Sequence, residues 1–255
     1  MPTYRLVVEY DGSGFHGLQY QPELRTVAGE LEAALARIFH EPVKITAAGR
    51  TDAGVHATGQ VVSFSAAREF PVDRLVLALN GDTPADLAVR DAARVADGFS
   101  ARFDALERLY DYLIVNRVAP SALWRARAWH VGRPIDAERF AAAAAPLLGE
   151  HDFAAFCGEL PAGGSTVREL RAIDLEQRGE LLRVAVRGNA FLHMMVRVLV
   201  GTLVGCATGH REVDDARRAL EARDRTAAGM TAPAHGLYLA GVRYADFDSY
   251  RPVEL

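Results

Sequence analysis

Residues Thr3 to Tyr10 alternate with a period of two, which places Tyr4, Leu6, Val8 and Tyr10 on one face, and Asp11-Gly12 closes the run with turn chemistry. A strand with one apolar face has to be covered by another element, and the following segments supply helices as well as further strands. Thr26 is placed to cap a helix in which Leu31, Leu35, Ile38 and Phe39 recur at helical spacing. Strands are predicted at Val43 to Ala48 and Gly59 to Ser65, a helix at Val72 to Leu79, and strands at Leu87 to Ala93 and from near Leu109 to Asn116. The second half repeats the mixture. An alanine-rich helix is predicted from Ala137 to Leu148, strands at Val167 to Glu176 and Leu181 to Arg187, an apolar helix from Phe191 to Ala207, an amphipathic helix from Val213 to Ala222 and a strand from Leu237 to Tyr244. Helices interspersed with hairpin-capable strands indicate an α+β fold on a largely antiparallel sheet. Half of the 255 residues are apolar, enough to bury a sizeable core in one large domain or two modest ones sharing a sheet.

The segment Phe191 to Ala207 is apolar on nearly all sides, but His193 and Arg197 interrupt it early. The uninterrupted stretch falls short of the roughly 18 residues a membrane span requires, so it is expected to be a core helix. An arginine in a buried helix needs a carboxylate, and Arg197 is therefore expected to have a specific acidic partner. Cys157 and Cys206 stand far apart in no metal-ligand spacing, and the first residues lead straight into a strand with no basic segment ahead of an apolar run. Reduced thiols and a cytoplasmic location are the expectation.

A formal charge of -4 argues against a nucleic-acid partner until its distribution is considered. From Tyr110 to Arg133, Arg117, Arg125, Arg127 and Arg133 oppose the single acid Asp111, with Tyr110, Tyr112, Trp124 and Trp129 interleaved. That composition suits an RNA-facing strip; ordinary solvated strand faces are the alternative. Lysine occurs only at Lys44, and arginine suits phosphate contacts and base stacking better.

Gly49-Arg50-Thr51-Asp52-Ala53-Gly54-Val55-His56-Ala57 is glycine-flanked and polar, and so reads as an exposed loop between two strands. Asp52 within it has two readings, an Asx-turn residue or a reactive carboxylate, with Arg50 and His56 near in sequence. A carboxylate that needs a cation and a helix arginine that needs an acid form a natural pair, which assigns Arg197 to Asp52. Tyr110 is either a sheet aromatic or a stacking platform for an extruded base. The eight histidines show no metalloprotease spacing, and Gly12-Ser13-Gly14 is too short for a dinucleotide fingerprint.

At these residues the sequence resembles the tRNA pseudouridine synthase A (TruA) family, whose catalytic aspartate corresponds to Asp52. Other blocks resemble it in the same order: Phe15-His16-Gly17 with Gln19 and Gln21, Ala101-Arg102-Phe103 followed by Arg108 and Tyr110-Asp111-Tyr112, and Thr166-Val167-Arg168. Gly188-Asn189-Ala190-Phe191-Leu192-His193 leading to Met195-Val196-Arg197, and His235-Gly236-Leu237-Tyr238-Leu239, complete the series. Two positions depart from the family pattern, Leu18 for a tryptophan and Met194 for a second histidine. The resemblance implies two related α+β halves of ferredoxin or RRM-like type, joined in a largely antiparallel sheet with helices on one face and a central active-site cleft. Residues 1–104 would carry the aspartate loop and 105–255 would carry Tyr110 and Arg197. It further implies an isomerase converting uridine to pseudouridine at positions 38, 39 and 40 of the tRNA anticodon stem and loop. The implied enzyme uses Asp52 as catalytic residue, Tyr110, Arg50 and Arg197 in substrate binding, no cofactor and no metal, and acts as a homodimer presenting a basic surface to tRNA. A non-catalytic RNA-binding module would leave the Asp52 loop and Arg197 without a purpose. A hydrolase would need a second carboxylate or a metal, for which no motif is found.

Overall fold

The computed structural model describes residues 1–159 and 163–254. In chain order the elements are β1 (Thr3–Tyr10), α1 (Val27–Phe39), β2 (Thr46–Ala47), β3 (His56–Ser65), α2 (Val72–Asp82), β4 (Leu87–Val95) and β5 (Glu107–Asn116). They continue with β6 (Trp129–Val131), α3 (Ala137–Ala144), β7 (Gly149–Asp152), β8 (Val167–Arg178), β9 (Leu181–Gly188), α4 (Met195–Ala207), α5 (Asp215–Ala222) and β10 (Leu237–Arg243). This is an α+β architecture in which most strand pairs are antiparallel. The chain divides into two compact units, residues 1–106 with 238–252, and residues 107–237 with 253–255.

In the first unit the strands run β4-β1-β3-β10, with β2 alongside β3 and only β3 and β10 parallel. Thr26 caps α1 as its spacing predicts, its hydroxyl accepting from the Gly29 amide. The apolar stripe of α1 then reaches the sheet through Phe39, whose ring lies 5.8 Å from Tyr4 and 5.5 Å from Phe64. The other face of β1 and β3 carries Arg5 and Ser63. Ser63 Oγ accepts from the Ala101 amide, Tyr244 donates to Ala101 O, and the Arg5 guanidinium lies 3.3 Å from the centre of the Phe247 ring.

In the second unit β5, β9, β8 and β7 form an antiparallel series, and β6 joins β5 in parallel. The core helix is α4, whose Val198, Leu199, Val200 and Leu203 have no measurable exposure. Among the described residues no helix is long and apolar enough to cross a membrane. The thiols of Cys157 and Cys206 are free and buried, and burial pushes both upward in pKa.

Three predicted boundaries move for identifiable reasons. The strand expected from Val43 shrinks to Thr46–Ala47, since Glu32 takes the Ile45 amide that a ladder would need, while its other oxygen accepts from the Lys44 side chain. The alanine-rich helix is α-helical only to Ala144, and continues as a 3-10 turn containing Pro146, which has no amide to donate. The apolar helix starts at Met195 rather than Phe191. Met194 is left-handed at φ 58°, and Asn189 is drawn away to β8, its amide donating to Glu169 O and its Oδ1 accepting from Glu169 N.

Candidate active site

Asp52 lies in the loop between β2 and β3, half-exposed, between the buried Thr51 and the exposed Ala53. The loop turns at Gly54, which adopts φ +78° and so needs glycine, and the Val55 amide closes it by donating to Asp52 O at 3.2 Å. Buried polar groups fix the residues around it. Tyr10 and Thr51 share a hydroxyl hydrogen bond of 2.8 Å, and Gln60, fully buried in β3, donates to Gly49 O at 2.7 Å. Burial pushes the Tyr10 phenol up to about 12, while hydrogen bonds to Thr51 and Gln60 pull the other way.

The Phe15-His16-Gly17 block braces the same loop. Leu18 N donates to Thr51 O at 3.0 Å and Gly54 N approaches Phe15 O at 3.4 Å, while the amides of Val27 and Ala28 tie Gly17 and Leu18 to the start of α1. Gly17 has φ +89°, and a Cβ there would sit 2.9 Å from Thr51 O. Arg25 secures the near side: its two terminal nitrogens contact Asp86 at 2.7 and 2.8 Å, its guanidinium lies over Phe15, and Asp86 is held below the usual carboxylate range by that contact. Leu18, one of the two departures, is buried here.

His56, which sequence position offered as a cation beside Asp52, is 2% exposed and has another task. Its Nδ1 accepts from the Gly12 amide at 3.0 Å, and its ring stacks on Tyr238 at 4.7 Å. Arg50 is exposed. Tyr10 and Gln60 were missed as supports, because in sequence they are a strand residue and a polar interruption of a strand. The only signal was a polar residue on the buried side of an alternating pattern.

In the second unit Tyr110 lies on β5, 6% exposed, with its ring edge-on to Phe191 at 5.1 Å. Arg197 stands in the first turn of α4 and is half-buried, a correction to the fully buried arginine expected. Its Nε donates to Ala232 O at 2.8 Å, and Ala232 N donates back to Arg197 O at 3.0 Å. The segment 232–235 is held from β5 as well, since Tyr112 donates to Pro233 O. Burial and the Arg197 charge both hold the His235 imidazole below its ordinary value. Met194, the second departure, packs beside Gly158, whose Cβ would lie 2.9 Å from its sulfur.

The expected strip from Tyr110 to Arg133 is not one face. Tyr110 and Tyr112 are buried, while Arg117, Arg125, Arg127 and Arg133 are at least half-exposed on the segment that follows. Three arginines of β8 and β9 are engaged by acids of their own or nearby strands: Arg171 by Glu169 and Glu107, Arg183 by Glu176, and Arg187 by Asp174.

A sequence profile described as tRNA pseudouridine synthase matches residues 6–104 and 143–245. The chain therefore belongs to the tRNA pseudouridine synthase family, and it is an isomerase of that class. Relatives similar to it over nearly their whole length bear the name tRNA pseudouridine synthase A. It is 47% identical over 247 residues to the tRNA pseudouridine synthase A of Methylobacterium sp. (strain 4-46), covering 96% of this chain and 99% of the relative. It is 44% identical over 245 residues to that of Caulobacter sp. (strain K31), covering 96% and 98%. Over 238 residues it is 44% identical to that of Halalkalibacterium halodurans, covering 93% and 90%.

Proposed function

We propose that the chain isomerises uridines at positions 38, 39 and 40 of the tRNA anticodon stem and loop, with Asp52 as the essential carboxylate. The reaction breaks the bond from C1′ to N1, turns the uracil and joins C1′ to C5. N1 takes up a proton and C5 releases one, so the balance needs neither a redox partner nor phosphate energy. Asp52 attacks C1′, attacks C6 or assists loss of a sugar proton, and all three routes require it ionised. Arg197 is assigned as the guanidinium that keeps it so. Tyr110 is assigned to stack on the detached base, and Arg50 to contact the backbone or occupy the space the flipped nucleotide leaves.

The observation that carries this reading is the bracing of the loop around Asp52. Thr51, Gly49 and Gly54 are each tied to buried or helical partners while Asp52 stays half-exposed, which is the pre-organisation a reacting carboxylate needs. Arg197 is likewise placed by a reciprocal pair of hydrogen bonds with Ala232. We further propose a cytoplasmic homodimer. The test is tritium release from tRNA transcripts labelled at C5 of uridine, since joining C1′ to C5 must expel that hydrogen. Release by the wild type and none by Asp52→Asn is expected. Equal loss of turnover and tRNA affinity in the variant would remove Asp52 from the chemistry, and release from uridines outside the anticodon arm would overturn the assigned positions.

A further inference from the structure

The second unit holds a hollow of about 360 Å³ beside α4. Trp129 lines it from β6, Gly201 and Gly205 line it from the helix, and Met230, 58% exposed, lies against it. Its size falls within the range of pockets that take small planar ligands. Arg133 and His210 also line it, with Nη1 of Arg133 donating to His210 Nδ1 at 2.9 Å. That bond leaves Nε2 of the neutral imidazole to carry its proton. Two arginines line the hollow: Arg211 lies 3.7 Å from Asp215, whereas among the described residues Arg133 forms no ion pair with a carboxylate. An apolar slot with an aromatic wall and an uncompensated guanidinium matches a flat base joined to a phosphate.

We infer that this hollow seats an unstacked nucleotide of the bound tRNA other than the uridine being isomerised. The base lies between Trp129 and the Gly205 side of α4, and the phosphate meets Arg133 and His210. The occupant follows from charge, because the substrate is a polyanion and Arg133 has no acid of its own. Its position along the RNA rests on the proposed role of Arg197: Gly205 lies eight residues further along α4, ~12 Å at the helical rise, within reach of the same RNA arm. The binding itself rests only on tRNA being the substrate. Trp129 and Arg133 belong to the arginine and aromatic stretch of the sequence, which thus supplies a pocket rather than a strip.

Equilibrium binding of an unmodified tRNA transcript tests this with two variants. Arg133→Gln removes the cation. Gly205→Leu fills space while keeping every charge, and the nearest atom its Cβ meets is the flexible Arg211 Cδ at 3.0 Å. Each is expected to weaken binding tenfold or more with an unchanged melting curve. Arg133→Gln should also lower the slope of log affinity against log salt by about one, and Gly205→Leu should leave it unaltered. Unchanged affinity in both variants overturns the inference, and so does lost affinity accompanied by a change of oligomeric state, which would assign the hollow to a second copy of the chain. Uridine monophosphate serves as a probe in a Trp124→Phe background, where Trp129 is the remaining tryptophan. Quenching that tRNA abolishes supports the inference, and quenching that survives saturating tRNA gives the hollow to a free nucleotide instead. If Asp52→Asn retained tritium release, the catalytic reading would fall while these affinities stood.

Discussion

The loop that carries Asp52 and the loop that leads into α4 each fix a short irregular segment beside a strand end, and they do so with different materials. The first is held by buried polar side chains reaching backbone and hydroxyl groups, with Tyr10 on Thr51 and Gln60 on Gly49. The second is held mostly by backbone and close packing, with the Asn189 amide oxygen as a side-chain acceptor. Asn189 exchanges two hydrogen bonds with Glu169, Gly158 donates to His193 O, and Gly188 lies where a Cβ would be 2.8 Å from Glu169 O. A polar clamp fixes geometry closely but costs stability whenever one partner is lost, since the other is left buried and unpaired. A packed clamp tolerates small changes wherever the neighbour is flexible.

The largest expected effect lies at the first loop's tip. Asp52→Asn should lower tritium release by about a thousandfold or more while tRNA affinity changes less than about threefold, because it removes the reacting charge and preserves shape. Next comes the rigid backbone beside that loop: Gly12→Ala would set a Cβ 2.0 Å from Val55 O, which cannot swing aside, and urea unfolding should show a loss of about 3 kcal/mol or more. Tyr10→Phe is expected to cost about 1–2 kcal/mol at neutral pH by stranding the Thr51 hydroxyl. It should also change the alkaline limb. The folded phenol titrates at about 12 and the unfolded one near 10, so the unfolded state binds fewer protons in that window. Stability should therefore fall as pH rises from 10 to 12, by up to ~1.4 kcal/mol per unit, and the variant should show a flatter decline. The smallest effect is predicted in the second loop. Gly158→Ala meets the Met194 side chain, which can swing aside, so the loss should stay below about 1 kcal/mol. A Gly158→Ala cost as large as that of Tyr10→Phe would erase the distinction between the two clamps.

Periodicity made the first strand, the Thr26 cap and the β8–β9 hairpin legible, because each depends on local alternation or a single capping oxygen. It failed where a distant side chain took over a backbone group. Glu32 claims the Ile45 amide, and Asn189 turns back to Glu169 and delays α4. The candidate site was legible as a glycine-bounded loop, and family resemblance singled out Asp52 within it. Its supports were not legible, because Tyr10 and Gln60 read as ordinary strand residues until the register sets them beside Thr51 and Gly49. Nor did the alternation of β10 say which strand it would join.

That last strand has a consequence during synthesis. Tyr238 and Leu239 pair with His56 and Ala57, and Ser249 donates to Gly59 O, so the first unit is completed by residues made nearly two hundred positions after β3. On the ribosome, the His56–Ala57 end of β3 emerges with the edge that β10 will take unpaired, β2 covering only the Val62–Ser63 end, and stays so while residues 107–237 are translated. At 5–20 residues per second that interval lasts roughly 7 to 26 seconds. All but the last few residues of the second unit can condense from contiguous chain in this time, whereas the aspartate loop's own strand must wait for β10, an order of events that places the nascent enzyme's aggregation risk in the first unit's strands.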